Sequence, residues 1–101
     1  MIIIQVLTKE FEHEIRQITK LSSEVNGEDA EKILDMIQDH AGEITELYKQ
    51  GNDHYKVETA DLIVLCFELL TSKNGDVDQV FSKCLPRFYK KLNKLRSQKN
   101  K

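Results

Sequence analysis

The fold of this chain depends above all on one apolar segment in its second half, residues 62–67, with the sequence Leu-Ile-Val-Leu-Cys-Phe. The segment belongs to a helical pattern over residues 53–72, in which Glu58, Asp61 and Glu68 favour a helix over a buried strand. A helix that is apolar almost all round must be covered on several sides. We therefore expect residues 53–72 to be the central and most buried helix of an all-α protein.

Apolar residues at spacings of three and four predict three further helices around this central one. The first begins near Ile3 or Thr8 and ends near Glu24, the second covers residues 28–49, and the last begins at Val77. Turn residues separate the helices, and they are Asn26-Gly27, Gly51-Asn52-Asp53 and Lys73-Asn74-Gly75-Asp76. The chain is thus predicted to be a small antiparallel bundle of about four helices.

The last helix has three features of its own. Asp76 is suited to cap its first turn, and Pro86 should kink the helix or restart it. Its apolar stripe consists of Val77, Phe81, Cys84/Leu85, Phe88, Leu92 and Leu95. Residues 97–101 are expected to fray.

A chain of 101 residues supports one domain with a modest core, so residues 1–101 are taken as a single domain. We expect a homodimer or homotetramer to complete that core. The opening apolar residues are too few for a signal peptide or a membrane span, and Cys66 and Cys84 lack metal-ligand spacing. A cytoplasmic protein with reduced cysteines and no membrane partner is the expectation.

Charge is distributed very unevenly along the chain. Residues 1–78 contain all 17 acidic residues and 7 basic ones, a net charge of −10. Residues 79–101 contain 8 basic residues and no acidic one, a net charge of +8. Such a basic end favours an anionic partner: a phosphate-bearing ligand, a nucleic acid or the acidic part of its own fold.

Two short acidic motifs carry most of the functional information. Glu43 and Glu46 lie three residues apart near the end of the second helix, and Glu58 and Asp61 have the same spacing early in the third. Residues three apart share a helix face, and the short connection around Gly51 makes the two helices antiparallel neighbours. Four carboxylates at one level of the bundle require a cation, and Mg²⁺ or Mn²⁺ suits oxygen ligands.

These motifs, Ala41-Gly-Glu-Ile-Thr-Glu-Leu47 and Val57-Glu-Thr-Ala-Asp-Leu62, resemble those of the MazG-like superfamily of all-α nucleoside triphosphate pyrophosphohydrolases. That family has Glu-x-x-Glu on one helix and Glu-x-x-Asp on the next. The resemblance covers roughly residues 28–96. It implies Mg²⁺-dependent hydrolysis of a nucleoside triphosphate between the α and β phosphates, which yields a monophosphate and pyrophosphate.

The resemblance also implies roles for individual residues. The metal ligands would be Glu43, Glu46, Glu58 and Asp61, and either Glu43 or Glu46 would act as general base on the attacking water. The residues suited to the β and γ phosphates are Lys83, Arg87, Lys90 and Lys91. His40 is expected to be a packed residue or to contact a ligand residue, because a di-iron site would need a histidine within the acidic motifs.

Other functions remain open at this point. Within the enzymes, a phosphoribosyl-ATP pyrophosphatase is the main rival, since its relatives share the Gly-Glu and Ala-Asp-Leu sequences found here. If the protein is not an enzyme, the alternatives are a helical interaction module that has lost activity and a nucleic-acid-binding module that uses the basic end. The acidic body argues against nucleic acid as a partner.

Overall fold

The structure, a computed structural model, describes residues 5–99 and shows four α-helices and one short 3₁₀ turn within that range. The elements are α1 (Lys9–Asn26), α2 (Ala30–Lys49), α3 (Tyr55–Thr71), the 3₁₀ turn (Ser72–Asn74) and α4 (Val77–Lys99). The all-α prediction is confirmed over these residues. None of the helices found there has the length and apolar character needed to span a bilayer.

Side-chain caps set the first two helix starts. The Thr8 hydroxyl accepts the backbone N–H of Phe11 at 3.1 Å, so α1 begins after Thr8. The alternative start at Ile3 lies outside the described residues. Asp29 accepts the N–H of Glu31 at 3.0 Å and thereby starts α2 two residues later than the sequence predicts.

A tight turn joins α2 to α3 and fixes their relative direction. Gly51 adopts φ 71°, a left-handed conformation that glycine accepts without strain. The N–H of Asn52 donates to the carbonyl of Leu47 at 2.9 Å, and the N–H of Gly51 donates to Tyr48 at 3.1 Å. The rings of Tyr48 and Tyr55 then meet edge to face, 5.2 Å apart. As predicted, α2 and α3 are packed as neighbours.

The core is small and centres on the C-terminal half of α3. Ile15 of α1, Phe67 of α3 and Val77 of α4 are buried together. The ring of Phe67 also contacts Phe11 and Phe81, with centroids 6.2 and 6.4 Å away. α3 therefore contacts all three other helices and is the central one, as the apolar segment predicts.

The N-terminal half of α3 is less enclosed than predicted. Ile63, in the middle of the apolar segment, is 48% exposed, because α1 and α4 pack against the other half of the helix. The radius of gyration is 16.5 Å, whereas a compact domain of this length has about 13 Å. A single chain thus leaves much of its apolar surface in water.

α4 begins as predicted and continues further than predicted. Asp76 accepts the N–H of Gln79 at 3.2 Å and caps the first turn. The helix runs through Pro86 to Lys99 without a break, so of the two predicted effects of Pro86, a kink or a restart, the restart is wrong. Residues 97–99 are helical. Proline's fixed φ suits a helix, and only its missing N–H and ring contacts oppose one. Residues 100 and 101 lie outside the described range.

Gly75→Ala is expected to destabilise the protein by about 1–3 kcal/mol. A Cβ at Gly75 would overlap the backbone carbonyl of Leu70, which cannot move away without unwinding the end of α3. Gly42→Ala is the matched control, since a Cβ there meets open space within α2 and should stabilise by about 0.5–1 kcal/mol. Urea unfolding of both variants measures the difference. Equal midpoints for the two would contradict this packing of the α3–α4 turn.

Glu68→Gln is expected to raise the melting temperature at pH 7. Glu68 is buried, and burial raises the pKa of its carboxyl above 4.5, although a hydrogen bond from Ser22 at 3.4 Å lowers it in part. The folded state therefore holds this proton to higher pH than the unfolded chain does, and stability falls as pH rises from 4.5 through the folded pKa.

The gain from Glu68→Gln should disappear at pH values well below 4.5, where the carboxyl is protonated in both the folded and the unfolded state. Melting curves across this pH range measure it. Glu24→Gln, an exposed position on α1, is the control and should show no such trend. A gain for Glu68→Gln that does not change with pH would exclude ionisation as its cause.

Candidate metal centre

The α2–α3 pair brings three of the four predicted metal ligands to one groove. Glu43 and Glu46 come from the last turns of α2, and Glu58 comes from the first turn of α3. Asp39 and His54 line the same open groove, whose volume is about 840 Å³. The acidic residues on the two helices thus face a common space, as the spacing of the motifs predicts.

Asp61 does not line this groove, but its carboxylate and that of Glu58 both lie close to the His40 ring. The Nε2 atom of His40 is 3.4 Å from Oε2 of Glu58 and 3.9 Å from Oδ2 of Asp61. One ligand atom from each of the three residues lies within 4.8 Å of the other two. The first turns of α3 and the middle of α2 therefore form a mixed cluster of one imidazole and two carboxylates.

Glu58 is the residue that links the two groups. Its Oε2 faces His40, and its Oε1 lies 3.3 Å from Nε2 of His54, one turn earlier on α3. The Glu58 side chain is only 15% exposed, while that of His54 is 56% exposed. The carboxylate of Glu58 is therefore held between two imidazoles, one inside the helix pair and one at the surface.

Asp61 is not buried, contrary to the expectation drawn from the adjacent apolar segment. Its side chain is 53% exposed, and the core that α3 forms with α1 and α4 is centred on Phe67, farther along the helix. A charge at this position keeps much of its hydration in a single chain, so it does not by itself demand a bound cation. Asp61 belongs to the candidate site through its proximity to His40 and Glu58.

No lysine or arginine compensates these acids in the described part of the chain. Over residues 5–99, the ion-pair partners of Glu58 and Asp61 are histidines, and none is formed by Glu43 or Glu46. Two carboxylates about 5 Å apart repel by roughly 3 kcal/mol at an effective dielectric of about 20. Within residues 5–99, the ion pairs of the cluster are those with His40 and His54.

The predicted phosphate-binding residues lie elsewhere. Arg87, Lys90 and Lys91, together with Lys94, line a separate groove of about 470 Å³ along α4. Lys83 is exposed and is not part of that lining. Among the described residues, none of these cations pairs with an acid of the α2–α3 groove. Within one chain, the acidic and basic grooves are distinct.

Sequence reasoning missed the contact role of His54 and left that of His40 open. His40 precedes Glu43 by three residues, and His54 precedes Glu58 by four, so each shares a helix face with a predicted ligand. That spacing is the signal that identifies them. Of the two roles that the sequence allows for His40, packing or contact with a ligand residue, the structure shows contact with Glu58.

Comparison with known proteins identifies no similar protein. No family model matches the chain, and neither a curated protein nor a solved structure is significantly similar to it. The likeness to MazG-like enzymes thus rests on the two acidic motifs and their helical setting.

Proposed function

We propose that this protein is a Mg²⁺-dependent nucleoside triphosphate pyrophosphohydrolase that cleaves between the α and β phosphates. The observation that carries the proposal is the shared groove of Glu43, Glu46 and Glu58, with Asp61 close to Glu58. The four carboxylates fit a hard divalent cation, because they are oxygen donors without an internal counter-charge from lysine or arginine in residues 5–99. The groove volume is in the range of small-molecule sites.

The proposed chemistry assigns separate tasks to the acidic residues. Glu43, Glu46, Glu58 and Asp61 would hold the cation, which when bound would neutralise phosphate charge and lower the pKa of a nearby water. Glu43 or Glu46, both exposed in the groove, accepts a proton from that water. The water oxygen bonds to the α-phosphorus, the bond from that phosphorus to the bridging oxygen breaks, and pyrophosphate leaves.

A second copy of the chain is proposed to complete the fold. The apolar stripe of α4 is buried at Val77 and partly buried at Phe81, and it continues along the same face to Phe88 and Leu92. Phe88 and Leu92 are 57% and 60% exposed, so the stripe extends beyond the core that uses its first turns. A homodimer or homotetramer would cover the remainder, since large exposed apolar patches commonly mark interaction surfaces.

Charge complementarity indicates how the copies meet. Within residues 5–99, the basic groove of α4 and the acidic groove of α2–α3 share no lining residue. In an assembly, α4 of one copy would lie beside the acidic groove of another. Its Lys83, Arg87, Lys90 and Lys91 would then contact the β and γ phosphates of the substrate.

Pyrophosphate release tests the activity. With Mg²⁺ and a panel of ribo- and deoxynucleoside triphosphates, the wild type should release pyrophosphate and the matching monophosphate. Asp61→Ala should reduce the rate by about 100-fold or more, since it removes a proposed metal ligand. Reaction in ¹⁸O-labelled water should place the label in the monophosphate.

Asp35→Asn is the control for this experiment. It removes one negative charge from an exposed position on α2 that does not line the groove, so its rate should equal that of the wild type. Release of orthophosphate instead of pyrophosphate would contradict the assigned bond. An inactive wild type whose melting temperature ignores Mg²⁺ and Mn²⁺ would favour the interaction module that has lost activity.

Leu92→Asp is expected to convert the assembly to monomers, because it places a charge in the uncovered apolar stripe of α4. Sedimentation equilibrium measures the mass of each species. Ser97→Asp adds the same charge on the opposite face of α4 and should leave the assembly intact. A wild-type protein that sediments as a monomer of 11.8 kDa would refute the proposed assembly.

A further inference from the structure

We infer that His40, Glu58 and Asp61 form a three-ligand site that binds a transition ion, such as Mn²⁺, Co²⁺ or Zn²⁺, more tightly than the Mg²⁺ assigned to the same carboxylates in the proposed function. The inference rests on the proposed function for the position of the ion between α2 and α3. It adds a nitrogen ligand that the acidic motifs do not contain, and it thereby specifies the class of metal.

The orientation of the His40 ring is the first step, because it shows which of the ring nitrogens carries the hydrogen. Its Nδ1 atom lies 2.9 Å from the backbone carbonyl of Met36, one turn earlier on α2. A carbonyl oxygen accepts but never donates, so Nδ1 carries the hydrogen in this contact. In the neutral ring, Nε2 is then left with a free lone pair. Metal-binding histidines show the same arrangement, with the second ring nitrogen donating to a carbonyl or carboxylate.

The second step concerns the groups that face that lone pair. Nε2 of His40 lies 3.4 Å from Oε2 of Glu58 and 3.9 Å from Oδ2 of Asp61. These three atoms are all acceptors when the ring is neutral, and acceptors do not hydrogen-bond to one another. A cation placed among them would satisfy all three at once.

The distances fit such an ion. With bonds of about 2.0–2.1 Å, neighbouring ligands of a tetrahedral Zn²⁺ lie roughly 3.4 Å apart. The His40–Glu58 separation is 3.4 Å, so these two ligands need no movement. Asp61 is farther, at 3.9 Å from Nε2 of His40 and within 4.8 Å of the Glu58 oxygen, so its half-exposed side chain would have to move toward both ligands.

Ligand chemistry decides which ion is preferred. Imidazole nitrogen binds Mn²⁺ and the later transition ions, with affinity generally higher for Zn²⁺ than for Mn²⁺, whereas Mg²⁺ prefers oxygen ligands throughout. A site that uses His40 therefore gains affinity for transition ions and gains nothing for Mg²⁺. Removing the imidazole should affect the two classes of ion differently.

Calorimetric titration of the full chain with Zn²⁺, Mn²⁺ and Mg²⁺, each alone, tests this difference. We expect His40→Ala to weaken Zn²⁺ and Mn²⁺ binding by about 10-fold to 100-fold and to leave Mg²⁺ binding within about twofold of the wild type. His13→Ala removes a histidine of α1 that lies outside the cluster and should change none of the three. Co²⁺ absorption provides a second readout, and its visible bands should shift in His40→Ala alone.

The outcomes separate this inference from the proposed function. Equal Zn²⁺ and Mn²⁺ affinities in wild type and His40→Ala would overturn the inference and leave His40 as an ion-pair partner only, whether or not pyrophosphate is released. Loss of transition-ion binding in His40→Ala would support the inference even if the wild type hydrolyses no nucleotide. In that case the proposed function would fail and the metal site would stand.

Discussion

The contact of His40 on α2 with Glu58 and Asp61 on α3 is the interaction on which the proposed site depends. Glu43, Glu46 and Glu58 face one groove, and Asp61 approaches Glu58 through His40. Over residues 5–99, only imidazoles of His40 and His54 stand near these acids as ion-pair partners. In the proposed function, a divalent cation would supply the remaining positive charge.

Much of the apolar surface of the single chain is likewise left uncovered. The core around Ile15, Phe67 and Val77 occupies one end of the helix assembly, while the end that carries the acidic groove has no buried residue on α2. Function and assembly are linked in the proposal, because the uncovered half of α4 also bears the predicted phosphate-binding cations. A single contact between copies would cover the stripe and bring opposite charges together.

Much of the fold could be predicted from local sequence signals. Capping and turn residues such as Thr8, Gly51 and Asp76 place the helix ends within about two residues, because caps act over one turn. The restart allowed at Pro86 does not occur, since the effect of a proline depends on helical context that a local rule does not contain. The exposure of Ile63 could not be predicted either, because burial depends on which helices reach α3.

In the candidate site, too, some features could be predicted from the sequence and others could not. The convergence of the Glu43 and Glu58 motifs is a result of spacing and a short turn, and both are visible in the sequence. The contact of His40 with Glu58 depends on the rotation of α2 against α3, which spacing alone does not determine. The exposure of Asp61 was predicted wrongly, since its apolar neighbours in sequence do not enclose it in space.

The turn at Gly51 sets where α3 begins, and each residue added within a helix rotates all later residues by about 100°. Insertions and deletions between this turn and the acids of α3 are therefore restricted. An extra residue in α3 before Glu58 would swing both acids of that helix about a quarter of a circle away from His40 while leaving the overall bundle possible. The helical phase between the turn and the acids is thus fixed more strictly than the identity of most residues that surround them.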